Sequence, residues 1–184
     1  MKIILISILL LRTLVSCQTL CKQEVLLHQT IHSHAKIQKK IYGLALIGSG
    51  GSIPDHQVKE FIVHYVANRP MSLDEARNLY VHSVEGLLNL INSNDELKPY
   101  LDNYPFTVNN LDLKISYWDP NADGFDPPSV ALVFLVRGNI CYAYYDNQSA
   151  RFTYEMDIRE PYLEARRIVL GDDASTNCFN NENN

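Results

Sequence analysis

LDLKISY, residues Leu111–Tyr117, is the stretch on which the fold turns. Leu111, Leu113, Ile115 and Tyr117 alternate with Asp112, Lys114 and Ser116, so the period of two predicts a strand with one buried face and one wet face. Toward the C-terminus, Val130 to Val136 (VALVFLV) is apolar at every position and predicts a central strand covered on both sides. Gly138-Asn139 reads as a hairpin turn into Ile140–Tyr145. Phe152, Tyr154, Met156 and Ile158 then alternate with Arg151, Thr153, Glu155 and Asp157. Pro161, placed where a first helical turn tolerates it, opens a last helix through about Val169.

Toward the N-terminus the period changes. Ser72 and Glu75 form an S-x-x-E capping box, in which each side chain satisfies a backbone donor of the first turn. Ala76, Tyr80, Val84, Leu87 and Ile91 follow at helical steps, widened by Leu79 and Leu88. Asp95 to Leu101 adds a short turn of helix. Lys59 to Ala67 is a strand with Phe61, Val63 and Tyr65 on one face and His64 on the other. Leu44 to Ile47 is a short strand that Gly48-Ser49-Gly50-Gly51-Ser52 interrupts. Leu20, Leu27, Ile31, Ile37 and Ile41 predict a helix over 20–42, ended by Gly43. The order is α-β-β-α-β-β-β-β-α. It predicts a single α+β domain over 17–170: a mainly antiparallel sheet of five to six strands with helices packed on it. The Asn-rich stretch 171–184 is too polar to bury itself and is expected to be a disordered tail.

Residues 1–16 have the charged start, short apolar core and small-residue exit of an export signal. The segment is shorter than the roughly 20 apolar residues of a spanning helix. Leu14-Val15-Ser16-Cys17 matches a bacterial lipobox, with Cys17 as the acylated first residue of the mature chain; simple cleavage beside Cys17 is the alternative. Arg12 just after the apolar core departs from the usual pattern. The implied partner is membrane lipid through acylated Cys17, at the cell surface, in the periplasm or at the outer membrane, or else secretion.

Loss of Lys2 and Arg12 with the leader moves the formal charge from -5 to -7. Nucleic acid is excluded as a partner, because its affinity comes mainly from basic residues that neutralise phosphates. Cys17, Cys21, Cys141 and Cys178 make no disulfide framework, and Cys141 reads as a buried core thiol.

Candidate sites are few. Asp119, Asn121, Asp123 and Gly124 match the opening of a calcium loop, D-x-N-x-D-G, but Val130 stands where its last carboxylate belongs. A turn between strands explains the same residues. Glu24, His28 and His32 share a helix face, although the outer two are about 12 Å apart at 1.5 Å per residue. Ser49, Asp55 and His64, or Cys141 with His82, can be drawn as nucleophile and base, with no local motif behind either set. No catalytic residue and no required cofactor follows from these patterns. Tyr is abundant, and Tyr142, Tyr144 and Tyr154 on neighbouring strands offer a binding surface for a protein partner, since Tyr joins an apolar face to a polar tip; cross-strand packing within the sheet explains the same residues.

GLALIGSGG (43–51), LDEAR (73–77), KPYLDNYPFT (98–107) and DPP (126–128) together resemble a small group of uncharacterised exported proteins of intracellular bacteria. The likeness covers roughly 40–169. It supports the bacterial, exported reading and carries no catalytic or ligand residues; together with the leader and the tyrosines, the expectation is an exported, lipid-anchored, non-catalytic binding or accessory protein of the envelope. A secreted or envelope hydrolase, a metal-binding protein or a host-directed effector is the alternative.

Overall fold

A computed structural model describes residues 21–121, 125–145 and 154–171, with the backbone alone over 154–157. The leader, Cys17, Asp123 and the tail beyond Gly171 lie outside the described residues.

Helix α1 (Lys22–Tyr42) begins at Cys21, whose backbone N–H donates to the Glu24 carboxylate at 2.9 Å. It ends at Gly43, which takes the left-handed conformation (φ 74°) that a residue with a Cβ adopts only at a cost. Strand β1 (Ala45–Ser52) follows, then β2 (Glu60–Ala67). Helix α2 (Leu73–Asn92) carries the predicted capping box: Ser72 N–H donates to Glu75 Oε2 at 3.0 Å and Glu75 N–H to Ser72 Oγ at 3.4 Å. Strands β3 (Leu111–Tyr117), β4 (Val130–Val136), β5 (Asn139–Tyr145) and β6 (Tyr154–Pro161) lead to helix α3 (Tyr162–Leu170).

The predicted element order and the α+β class are both present. The six strands lie in sequence order, β1 to β6, in one sheet. Four neighbouring pairs are antiparallel; β2 and β3, joined through α2, are parallel from Phe61 opposite Leu111 to Ala67 opposite Tyr117. The sheet is thus mainly antiparallel, as expected; the one parallel pair arises because a whole helix separates the two strands and carries the chain back to its starting end.

All three helices pack on one face: α1 against β1, α2 against β3 and β4, α3 against β5 and β6, with α2 touching both other helices. Phe61, Val63, Tyr65, Leu113, Ile115, Val133, Ile140 and Tyr142 point into that core, where they meet Leu27, Ile31, Tyr80, Val84, Leu87 and Ile91. Each such side chain stabilises the fold by about 1.5–3 kcal/mol. Truncating Leu87, the middle of the α2 stripe, would break this layer most directly.

Charged clasps fix the helices in place. Glu160 on β6 accepts from Arg77 Nε of α2 at 2.8 and 3.1 Å and from the Tyr142 hydroxyl of β5. Glu85 of α2 accepts from Tyr162 Oη and from Arg166 Nε of α3, both at 2.7 Å. In each clasp one carboxylate receives a guanidinium and a phenol, so no charge is left half-paired in a poorly solvated seam.

Four local expectations change. The glycine run does not interrupt β1 but belongs to it as an edge strand. A Cβ on Gly51 would stand 2.3 Å from Leu27 Cδ1, so glycine lets α1 lie close to the sheet. Among the described residues, helices cover Val130–Val136 on one side only, with Leu132 and Phe134 half-buried on the other. The hairpin turn is Arg137-Gly138, both at positive φ (49° and 75°), as in a type I′ turn; Asn139 already starts β5. Pro161 ends β6 and stands just outside α3 rather than within its first turn.

Along α1 the buried stripe also differs from the apolar one. Ile37 and Ile41 are exposed, whereas His34 and Gln38 are buried. A polar network explains the exchange. His34 Nδ1 lies 2.7 Å from Tyr65 Oη, Gln38 Nε2 lies 2.9 Å from His34 Nε2, and Ser83 Oγ lies 3.0 Å from Gln38 Oε1. With Gln38 donating to Nε2, the network assigns the ring proton to Nδ1, which donates to Tyr65. Burial holds the imidazole neutral, with its pKa pushed down to about 4.

Candidate functional site

The face of the sheet away from the helices is built by the wet positions of the alternation. β2 contributes Glu60, Ile62, His64 and Val66; β3 contributes Asp112, Lys114 and Ser116; β4 contributes Leu132, Phe134 and Val136. In-register pairing lines up one row across all six strands: Gly48, His64, Lys114, Phe134, Cys141 and Arg159.

Two polar contacts sit near the middle. His64 Nε2 is 2.7 Å from Ser116 Oγ, and Lys114 Nζ is 3.1 Å from Asp112 Oδ2. Partial burial lowers the His64 pKa; the Lys114 ammonium lowers it further, and Asp112 opposes them. Around these groups the face is apolar and partly open. Ile62 is 37 % exposed and Val136 40 %, with Val66, Leu132 and Phe134 half-buried between them. Among the described residues no helix covers this surface.

A hydroxyl against an imidazole is the geometry of an activated nucleophile, but the setting lacks other parts. Ser116 lies mid-strand, opposite Val66 on one side and Leu132 on the other. The ladders of a central strand take up its backbone N–H groups, so none is left to receive an oxyanion beside Ser116. What the arrangement can do is present a half-apolar surface with hydrogen-bonding groups at its centre.

The sequence candidates fall elsewhere. Tyr142 is fully buried, faces the helices and gives its hydroxyl to Glu160. Tyr144 is half-buried against the same core, and the side chain of Tyr154 is outside the described residues. Tyr142 therefore presents no surface to a partner, because even-numbered residues of β5 point toward the helices. Asp119 accepts from Asn121 N–H at 2.8 Å, a side-chain turn that uses the carboxylate locally. No cluster of three metal-ligating side chains occurs among the described residues. Glu24 caps α1. Ser49 is in register with Val63, so the sheet separates it from His64. Cys141 is buried on the side away from His82 of α2, and burial raises its thiol pKa.

The sequence pattern assigned His64, Asp112, Lys114 and Ser116 to wet faces of two strands. Only the parallel β2–β3 pairing brings them together. No family model matches this chain, and no match is found among curated proteins or among solved structures.

Proposed function

We propose that this protein is a non-catalytic binding module of the bacterial envelope. Its leader exports it, an acylated Cys17 holds it at the membrane, and the helix-free face of the sheet engages a protein partner. The observation that supports the reading is the asymmetry of the sheet: three helices cover one face, while Ile62, Val66, Leu132, Phe134 and Val136 stand on the other. Partly exposed apolar residues gathered on one surface favour an interaction site. The complementary partner carries an apolar ridge flanked by polar groups that meet His64, Ser116 and the Asp112–Lys114 pair. The acidic balance of the mature chain argues against nucleic acid.

The test places a photo-crosslinking residue at Ile62 or Val136 on the open face, and at Ile168 on the exposed side of α3, in the producing cell. One discrete protein adduct from the first two positions and none from Ile168 is the expected result. Absent adducts, or equal ones from both faces, overturn the reading. The anchor is tested separately by intact mass and membrane fractionation beside Cys17→Ala. Diacylglyceryl mass and membrane association in the wild type alone are expected, whereas a soluble unlipidated wild type overturns the tether.

The second reading, an envelope or secreted hydrolase, rests on the His64–Ser116 contact at 2.7 Å. Turnover of an activated ester that Ser116→Ala abolishes would install it in place of the first.

A further inference from the structure

Where the open face meets the β4–β5 hairpin, the strands leave a groove of about 450 Å3. Phe134 and Val136 give it an apolar floor, and Glu60, Asp112, Lys114 and Arg137 give it charged walls. These charges are not equivalent. Asp112 and Lys114 neutralise each other at 3.1 Å. Glu60 and Arg137 take part in no ion pair among the described residues. One uncompensated carboxylate therefore stands on β2 and one uncompensated guanidinium at the β4–β5 turn. Glu60 on β2 and Arg137 at the β4–β5 turn thus flank the groove with β3 between them.

Arg137 is also an unusual choice for its position. The first central residue of a type I′ turn requires positive φ, which suits Asn, Asp or Gly. Arg137 holds φ 49° and is exposed at the tip. It serves the turn poorly and supplies the groove rim with a planar, permanently charged fork that matches a carboxylate.

We propose that this groove binds a zwitterion of dipeptide size with apolar side chains. The ammonium group donates to the Glu60 carboxylate, the terminal carboxylate accepts from the Arg137 guanidinium, and the side chains lie over Phe134 and Val136. An extended dipeptide separates its two charges by about 7 Å, a length that a groove of this volume can hold. A groove of this volume lies within the usual range for small-ligand sites. The Asp112–Lys114 pair, already satisfied, lines the middle without favouring either sign. The groove shares Phe134 and Val136 with the docking face proposed above, but its ligand is small and its determinants are the two end charges.

The experiment is calorimetric titration of the full-length protein with L-leucyl-L-leucine, its N-acetyl derivative and its C-terminal amide. The free dipeptide is expected to bind, and each blocked form to bind at least about tenfold more weakly, as loss of one charged contact requires. Arg137→Asn and Glu60→Gln are each expected to weaken the free dipeptide by the same factor. Arg137→Asn should do so without lowering the melting temperature, because Asn suits the turn. No binding heat up to about 10 mM overturns the proposal. So does a loss smaller than about tenfold for the blocked forms or for either variant. Failure here leaves the partner reading untouched, since the crosslinks at Ile62 and Val136 report on it independently.

Discussion

Two histidine–hydroxyl contacts of equal length stand back to back across strand β2. Tyr65 points inward and meets His34 Nδ1 at 2.7 Å; the neighbouring His64 points outward and meets Ser116 Oγ at 2.7 Å. Their chemistry is alike and their surroundings are not. His34 is 1 % exposed, has both ring nitrogens engaged and lies between two helices and the sheet. His64 is half-buried on a face with no described helix, beside a lysine and an aspartate. A fully satisfied buried network fixes the positions of its elements. A half-open contact next to apolar surface remains free to exchange its partners with a ligand. The same pair of groups is thus part of the buried scaffold on one side of β2 and part of a half-open surface on the other.

The comparison breaks most easily at His34. His34→Ala leaves Tyr65 and Gln38 without their shared partner and opens a cavity, so urea denaturation should report a loss of about 3–4 kcal/mol. His64→Ala should cost less than about 1 kcal/mol. Equal losses would mean that the two faces are not different in kind.

Acid sharpens the same contrast. His34 has a folded pKa of about 4 against 6.5 for a free imidazole, so the unfolded chain binds the proton first. The stability that neutral His34 confers is complete above pH 6.5, falls through the window from 6.5 to 4, and is gone below it. The loss is on the order of 3 kcal/mol. Denaturation curves across that window should show this slope, and His34→Gln should flatten it. The half-buried His64, also lowered by burial, adds a smaller change of the same sign.

Two smaller effects test how far the inner face is optimised for stability and the outer one for contact. Arg137→Asn should stabilise the fold by about 1 kcal/mol, because a non-glycine, non-Asn residue at positive φ is strained there; thermal unfolding measures it. Tyr117→Phe should be neutral to slightly stabilising, within about 1 kcal/mol. Its buried hydroxyl has no hydrogen-bond partner among the described residues, so removing it relieves a desolvated group.

Much of this architecture was legible because period and capping are local. LDLKISY could only be a half-buried strand, and the Ser72–Glu75 box marked the start of α2 to the residue. The glycine run misled because its meaning lies in Leu27, a residue on a different element. Val130–Val136 misled because apolar side chains on both faces state that a strand is central, not that both faces are covered. The tyrosines of β5 left surface and packing both open: composition says that a Tyr suits either, and the parity of the strand turned Tyr142 inward to Glu160.

The sequence by itself determined the α+β class, the nine-element order, the N-terminal capping box of α2, the glycine end of α1, and the wet or buried parity of β2 and β3. These follow from hydrophobic period and from short-range hydrogen bonds, which act within a few residues. Tertiary structure alone decided that β2 and β3 run parallel, that all three helices share one face, and that His34 and Gln38 outrank Ile37 and Ile41 for burial. It also decided that His64 meets Ser116 and that Glu60 and Arg137 share a groove. Each of these depends on pairing between segments tens of residues apart, and a side chain's own identity cannot say which partner the folded chain will bring to it.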